Sequence, residues 1–299
     1  MSSSQLDLLE ERFNSLRLQY TTTAPALMLS HLLEELQEVE ALANDRQPAA
    51  VQLRLSEMTA VLSTLVADAL MKLGRLRQSR AWYDTARTAA DDAQNADTRA
   101  RVRAQAAMLP YYYGPLEDAL RLTREARLLS RGQPSATSAF AAIADARALA
   151  RQGNAGAARA AITAARHDFD RAQHGNPDDA FAFPYRRLLL YLSGAYTSLG
   201  MTSQAHAVQA EALKLYGDHP GIDPVLLKLE QAICLVRERS LSDACQLASA
   251  AYLRVPEDHR TRILGTRARN IIDAVPPSQR SARPVQALGE VLELPSGRS

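Results

Sequence analysis

Cysteine is almost missing. Only Cys234 and Cys245 occur in 299 residues, and they form no ligand cluster. Two thiols in so long a chain point to a reducing compartment rather than a disulfide-stapled scaffold. The pair reads as two small apolar residues buried in the last repeat. Aromatics are scarce at 5%, and lysine occurs only at Lys72, Lys214 and Lys228. The basic side is therefore almost all arginine, as high-GC coding favours. A net charge of +2 gives no argument for nucleic acid by itself. Alternating β-branched runs are nearly absent, so no strand is expected. No stretch approaches the roughly 20 apolar residues of a membrane span. The start, Met1-Ser2-Ser3-Ser4, lacks the basic and apolar segments of a signal peptide. A cytoplasmic location is the expectation.

Catalytic motifs are missing too. There is no His-Glu-x-x-His, Cys-x-x-Cys or Gly-x-Ser-x-Gly, and no phosphate-binding loop. The segment from Gly153 to Gly156 reads as a helix turn. His167, Asp170 and His174 share a helix face, but Gly175 and Pro177 follow at once, so they read as a solvated helix end at His174. His31, His206, His219 and His259 are scattered. An enzyme, a metal and a cofactor are all unexpected.

What is present is a repeat. Alanine does much of the apolar work within a 46% hydrophobic composition. Helical periodicity is broken by turns centred on Gly74, Gly114, Gly153, Gly200 and Arg239, separated by 40, 39, 47 and 39 residues. Five residues after each centre stand Ser79, Ala119, Ala158, Ala205 and Ala244. Twelve after stand Ala86, Ala126, Ala165, Ala212 and Ala251. Seven before stand Ala67, Ala107, Ala146, Ser193 and Ala232. All fifteen are small. Positions +5 and +12 lie two turns apart on one helix face. Opposite a small residue at −7 they allow two helices to pack closely as a hairpin. Glycine at the centre supplies the left-handed residue that ends the first helix; Arg239 predicts a differently built turn in the last repeat. Pro110 should kink its helix near the end.

This pattern resembles the tetratricopeptide repeat, although its period exceeds the usual 34 residues. The resemblance implies an all-α fold: an α-solenoid of about five helical hairpins with capping helices at both ends. The expected division is a capping hairpin in 1–45, the repeat array in 46–254, and capping helices with a tail in 255–299. Leu6, Leu9, Phe13 and Leu16 give the N-terminal hairpin an apolar stripe. Gly175, Pro177 and Pro184 mark a long inter-repeat loop, and Pro276-Pro277 should split the C-terminal cap. The tail from Pro295 to Ser299 is expected to fray.

A second resemblance rests on Leu199 to Tyr216, Asp243 to Ala248, Val255 to Arg260 and Arg267 to Pro276. These segments are similar to the C-terminal region of actinobacterial helix-turn-helix transcriptional regulators of the XRE type. The 1–45 hairpin contains no helix-turn-helix unit, so no DNA-reading residue carries over and direct nucleic-acid binding is not expected.

In tetratricopeptide arrays the first helix of each pair lines a groove that holds a partner peptide. That geometry selects Lys72, Arg101, Tyr111, Tyr112, Arg147, Arg151, Arg187 and Arg237 as partner-binding residues. With Phe140, Ile143, Leu190, Leu229 and Ile233 they form an arginine-rich, partly apolar face suited to an acidic or carboxylate-ended peptide. Two functional expectations follow. One is a regulatory protein- or peptide-binding scaffold serving transcription or development. The other is the sensor half of a regulator whose DNA-binding part lies elsewhere. A homodimer is left open.

Overall fold

The structure, a computed structural model, describes residues 3–217 and 221–293. The tail from Pro295 and His219 lie outside the described residues. Among those described, regular structure is helical throughout. An N-terminal pair, α1 (Ser3–Gln19) and α2 (Pro25–Asn44), is followed by α3 (Ala49–Lys72) and α4 (Leu76–Asp92). Next come α5 (Ala96–Ala106), α6 (Met108–Tyr113) and α7 (Leu116–Leu129), then α8 (Ala136–Arg151) and α9 (Ala155–Arg171). The chain continues through α10 (Tyr185–Leu199), α11 (Thr202–Tyr216), α12 (Asp223–Arg237) and α13 (Leu241–Leu253). It ends with α14 (Arg262–Ala274) and α15 (Arg283–Glu293), each preceded by a single 3₁₀ turn. Pro276 and Pro277 stand at the second of these turns.

By packing, the chain divides into two compact units, residues 1–145 with 163–183 and residues 146–162 with 184–299. Within each, helices pack in chain order, as in an α-solenoid. In the first unit α2 packs on α3, α3 on α4 and α5 on α7. In the second, α10 packs on α11 and α12 on α13, while α14 and α15 continue onto α12 and α13. First helices also lie on first helices, α3 on α5 and α10 on α12.

The fifteen small positions explain this packing. All are buried, none more than 3% exposed. The Ser79 hydroxyl donates to the Ala67 carbonyl at 2.7 Å, a direct link from +5 to −7 across the α3–α4 pair. Only a small side chain leaves the backbones near enough for such a bond. Larger apolar residues fill the N-terminal end instead. Leu9, Phe13, Met28, Leu32, Leu36 and Leu62 belong to one cluster of the first unit.

Four of the five turns share one hydrogen-bond pattern. The residue after the centre donates to the carbonyl five residues before it: Arg75 to Leu70, Asn154 to Leu149, Met201 to Tyr196 and Ser240 to Leu235, all at 2.9–3.0 Å. Gly74, Gly153 and Gly200 hold the required positive φ of 79°, 78° and 73°. Arg239 does as well, with φ 66°. The last turn is thus built like the others, against the sequence expectation, because the bond pattern dictates the conformation and arginine accepts its strain. The exception is Gly114, at φ −143° and ψ −167°. Pro115 follows it, and a residue before proline is driven to extended backbone. Glycine is needed there for closeness, since a Cβ would sit 3.1 Å from the Pro110 Cα. Pro110 cannot donate an amide hydrogen bond, and its helix is broken at Ala107 between α5 and α6.

Candidate functional site

The eight sequence-selected residues do not share one environment. Tyr111 is 2% exposed and Arg147 5%, so both are interior residues, contrary to the expectation of an open groove. Phe140, Ile143, Leu190, Leu229 and Ile233 are buried as well. The reason is packing. The faces assigned by analogy to other repeat arrays are covered here and belong to the core. Of the three adjacent tyrosines, Tyr112 and Tyr113 remain partly exposed, and Tyr112 meets Tyr111 edge-on at 5.0 Å between ring centroids.

Arg147 is accommodated by neighbours of its own unit. Its guanidinium lies 4.5 Å above the Tyr191 ring. Gly194 leaves the room: a Cβ there would lie 3.0 Å from Arg147 Nε and 3.4 Å from a Glu230 oxygen. Glu230, itself buried, accepts from Nε of Arg267 at 2.8 Å and also from its Nη2. Arg147 and Glu230 thus both come close to Gly194, and Arg267 bonds the interior carboxylate.

Lys72 is engaged locally. Its ammonium lies 2.8 Å from Asp68 and 4.4 Å from the Tyr20 ring centroid. Tyr20 in turn donates to Asp68 at 2.5 Å. Arg187 stands 4.0 Å from Asp223, whose carboxylate also accepts from the Tyr216 hydroxyl at 2.9 Å. Burial, with Asp223 beside it, pushes the Tyr216 phenol far above its ordinary range.

Arg151 and Arg237 are exposed. Both occupy the position two residues before the turn centre, where Lys72, Tyr112 and Ser198 also stand, and none of the five is buried. Arg237 extends back over the preceding pair, its Nη1 3.3 Å from where a Cβ would lie on Gly200. Cations there also favour the negative end of a helix.

Arg101 is placed differently again. It lines a narrow cleft of the first unit, about 100 Å³ in volume, together with Arg17, Arg54, Glu10, Glu57 and Phe13. The long loop after α9 builds one side of this region. Its Ala180 amide donates to the Arg17 carbonyl at 3.0 Å, its Asp179 pairs with Arg17 at 2.7 Å, and its Phe181 ring lies 5.4 Å from the Arg101 guanidinium. Phe183 anchors the loop against Phe140 at 5.5 Å and Phe169 at 6.2 Å. Arg17 and Phe181 were not selected from the sequence. Their one signal was the run of aromatic residues in a segment otherwise rich in turn formers.

The histidines are peripheral. His167 and His174 are exposed, and α9 ends at Arg171, three residues before His174. Among the described residues no group of three or more His, Cys, Asp or Glu side chains is arranged to hold a metal. Cys234 and Cys245 are buried free thiols, and burial pushes both above the usual thiol range. Among the described residues no helix is long and apolar enough to cross a membrane. The fold thus defines an all-α protein of sequentially packed helix pairs. The chain matches no protein-family profile, no curated protein and no solved structure.

Proposed function

We propose that this protein is a regulatory scaffold of tetratricopeptide-like helix pairs that holds a protein or peptide partner at the turn-proximal ends of the first helices of its second unit, where Arg151, Ser198 and Arg237 stand. The supporting observation is the register position two residues before each turn centre. It is never buried in the five pairs, and it carries Lys72, Tyr112, Arg151, Ser198 and Arg237. A position that recurs with the fold and stays open is where a repeat protein can vary its side chains without disturbing its packing. Two of the second unit's three such residues, Arg151 and Arg237, are cations and favour an acidic partner.

The test is affinity purification from native cytosol, comparing wild type with an Arg151→Glu/Arg237→Glu double variant. Both side chains are exposed, so helicity and melting temperature should stay unchanged. Loss of a partner in the variant supports the scaffold. A partner retained in full by a folded variant removes this surface from consideration. A second reading, the sensor half of a transcriptional regulator, draws support from the arginine-lined cleft, a feature that a pure scaffold does not need.

A further inference from the structure

The loop after α9 is longer than a repeat connection needs. Residues 93–95 suffice between α4 and α5, and residues 130–135 between α7 and α8, whereas residues 172–184 run from α9 to α10. A loop of that length is uncommon in a compact array unless it serves a purpose of its own. Its far part lies on first helices of the first unit. Asp179 pairs with Arg17 of α1 at 2.7 Å, and the Ala180 amide donates to the Arg17 carbonyl at 3.0 Å. The Phe181 ring lies 5.4 Å from the Arg101 guanidinium of α5 and 5.9 Å from that of Arg17. Ala180 and Phe181 also join the apolar cluster that holds Phe13 of α1. Phe183 meets Phe140 of α8 at 5.5 Å and Phe169 of α9 at 6.2 Å. The chain has five phenylalanines in all. Two are carried by the loop, and the other three stand on the helices that receive it.

These contacts are of a kind that a competitor can take over. The side chains of the Arg17–Asp179 pair are 22% and 19% exposed, and an ion pair so open to water holds only weakly. Phe181 is half-buried, and residues 173–178 before it are all exposed, which leaves slack for the segment to swing away from its seat. The Asp179 side chain accepts from the Phe181 amide at 2.8 Å, and the Ala182 amide donates to the Asp179 carbonyl at 2.9 Å. The segment therefore carries its own turn and arrives preshaped, as a well-fitted ligand does. An incoming segment with an acid at the place of Asp179 and aromatic residues two and four positions later would supply the same groups. The local charge would stay as it is, since one carboxylate replaces another.

We propose that Asp179–Phe183 is a strap that occupies an interaction surface of the first unit, and that a partner protein segment of the form acid-x-aromatic-x-aromatic displaces it. The strap is tethered, so it competes at an effective concentration in about the millimolar range. The surface therefore answers only to a segment that is abundant or better fitted. The seat uses none of the second unit's turn-proximal residues, so either reading can fail alone.

Fluorescence anisotropy on the full chain tests it, with a labelled peptide copying residues 176–184 as the probe. The comparison is wild type against Asp179→Ala/Phe181→Ala, which loosens the strap and leaves the buried Phe183 in place. The variant should bind the peptide saturably and at least about tenfold more tightly than wild type, because its tethered competitor is weakened. A peptide with alanine at both phenylalanine positions should not bind. Arg17→Met in the loosened protein should weaken binding at least about tenfold. In wild type, about 5 mM peptide, enough to match the tethered strap, should speed hydrogen exchange at the Ala180 amide, which loses its acceptor. That readout stands even if the double variant fails to fold. No saturable binding by a folded variant up to about 1 mM peptide overturns the proposal. Equal affinity in the two proteins overturns it as well, and so does unchanged exchange at Ala180.

Discussion

Single residues carry two kinds of cost in this chain, backbone strain and buried charge. Arg239 holds φ 66°, a conformation that costs a non-glycine residue roughly 1–2 kcal/mol. It is exposed, so its side chain contributes little in return. Arg239→Gly should therefore raise the unfolding free energy by about 1 kcal/mol, part of the gain being lost to glycine's freer unfolded chain; an unchanged denaturant midpoint would show that the turn is not strained. Asp145 illustrates the buried charge. Burial raises its pKa above the usual carboxylate range, opposed by the Thr123 hydroxyl at 2.9 Å and by Arg124 and Arg127. An acid with a raised value in the folded state contributes stability in its protonated form, and that contribution is lost as pH rises through the folded value. Asp145→Asn removes the titration while keeping an acceptor for Thr123. It should be more stable than wild type at pH 7, with the difference closing below about pH 4. Melting curves at the two pH values decide it.

At the scale of the element, the small positions set how closely helices approach. Replacing Ala212, fully buried, by leucine should overpack its helix pair at roughly 1–3 kcal/mol, and Ala165→Leu should behave alike. The control is Leu215→Ala on the same helix, half exposed, which should shift stability by less than about 0.5 kcal/mol. Equal effects in the buried and exposed substitutions would break the repeat register. This register was legible in the sequence because it is local. Residues 7, 5 and 12 positions from a turn belong to two helices joined by that turn, and contact distance alone demands that they be small. The strained turn at Arg239 was not legible, because four residues' hydrogen bonds impose what a single residue's preference argues against. Nor was the burial of Tyr111 and Arg147. Which face of a first helix is open depends on what packs over it, as with Gly194 clearing space for Arg147, and that does not follow from spacing within one pair.

At the scale of the molecule, the cleft escaped sequence reasoning for a different reason. Arg17, Arg101 and Phe181 are far apart in the chain, and only the fold joins them. Helix α1 and the loop after α9 depend on each other through the Ala180 amide, the Arg17–Asp179 pair and the Phe181 ring packed on the cluster that holds Leu9 and Phe13. Deleting residues 1–19 should therefore release that loop as well as expose the cluster. Limited trypsin digestion should then cut after Arg171 within the time that leaves the full chain intact; equal protection in both proteins would mean that the loop is held by its phenylalanines alone.

The bond between Ala180 and Arg17 also bears on the order of synthesis. A chain emerging at roughly 5–20 residues per second makes Arg17 some tens of seconds at most before its partner exists. For that interval α1 and the helices behind it can assemble with one flank of the Arg101 cleft missing. Helix α1, translated before the loop, is thus among the last parts of its unit to be completed, and a pause after codon 145 would prolong the exposure of its leucine-rich cluster to the chaperones waiting at the ribosome.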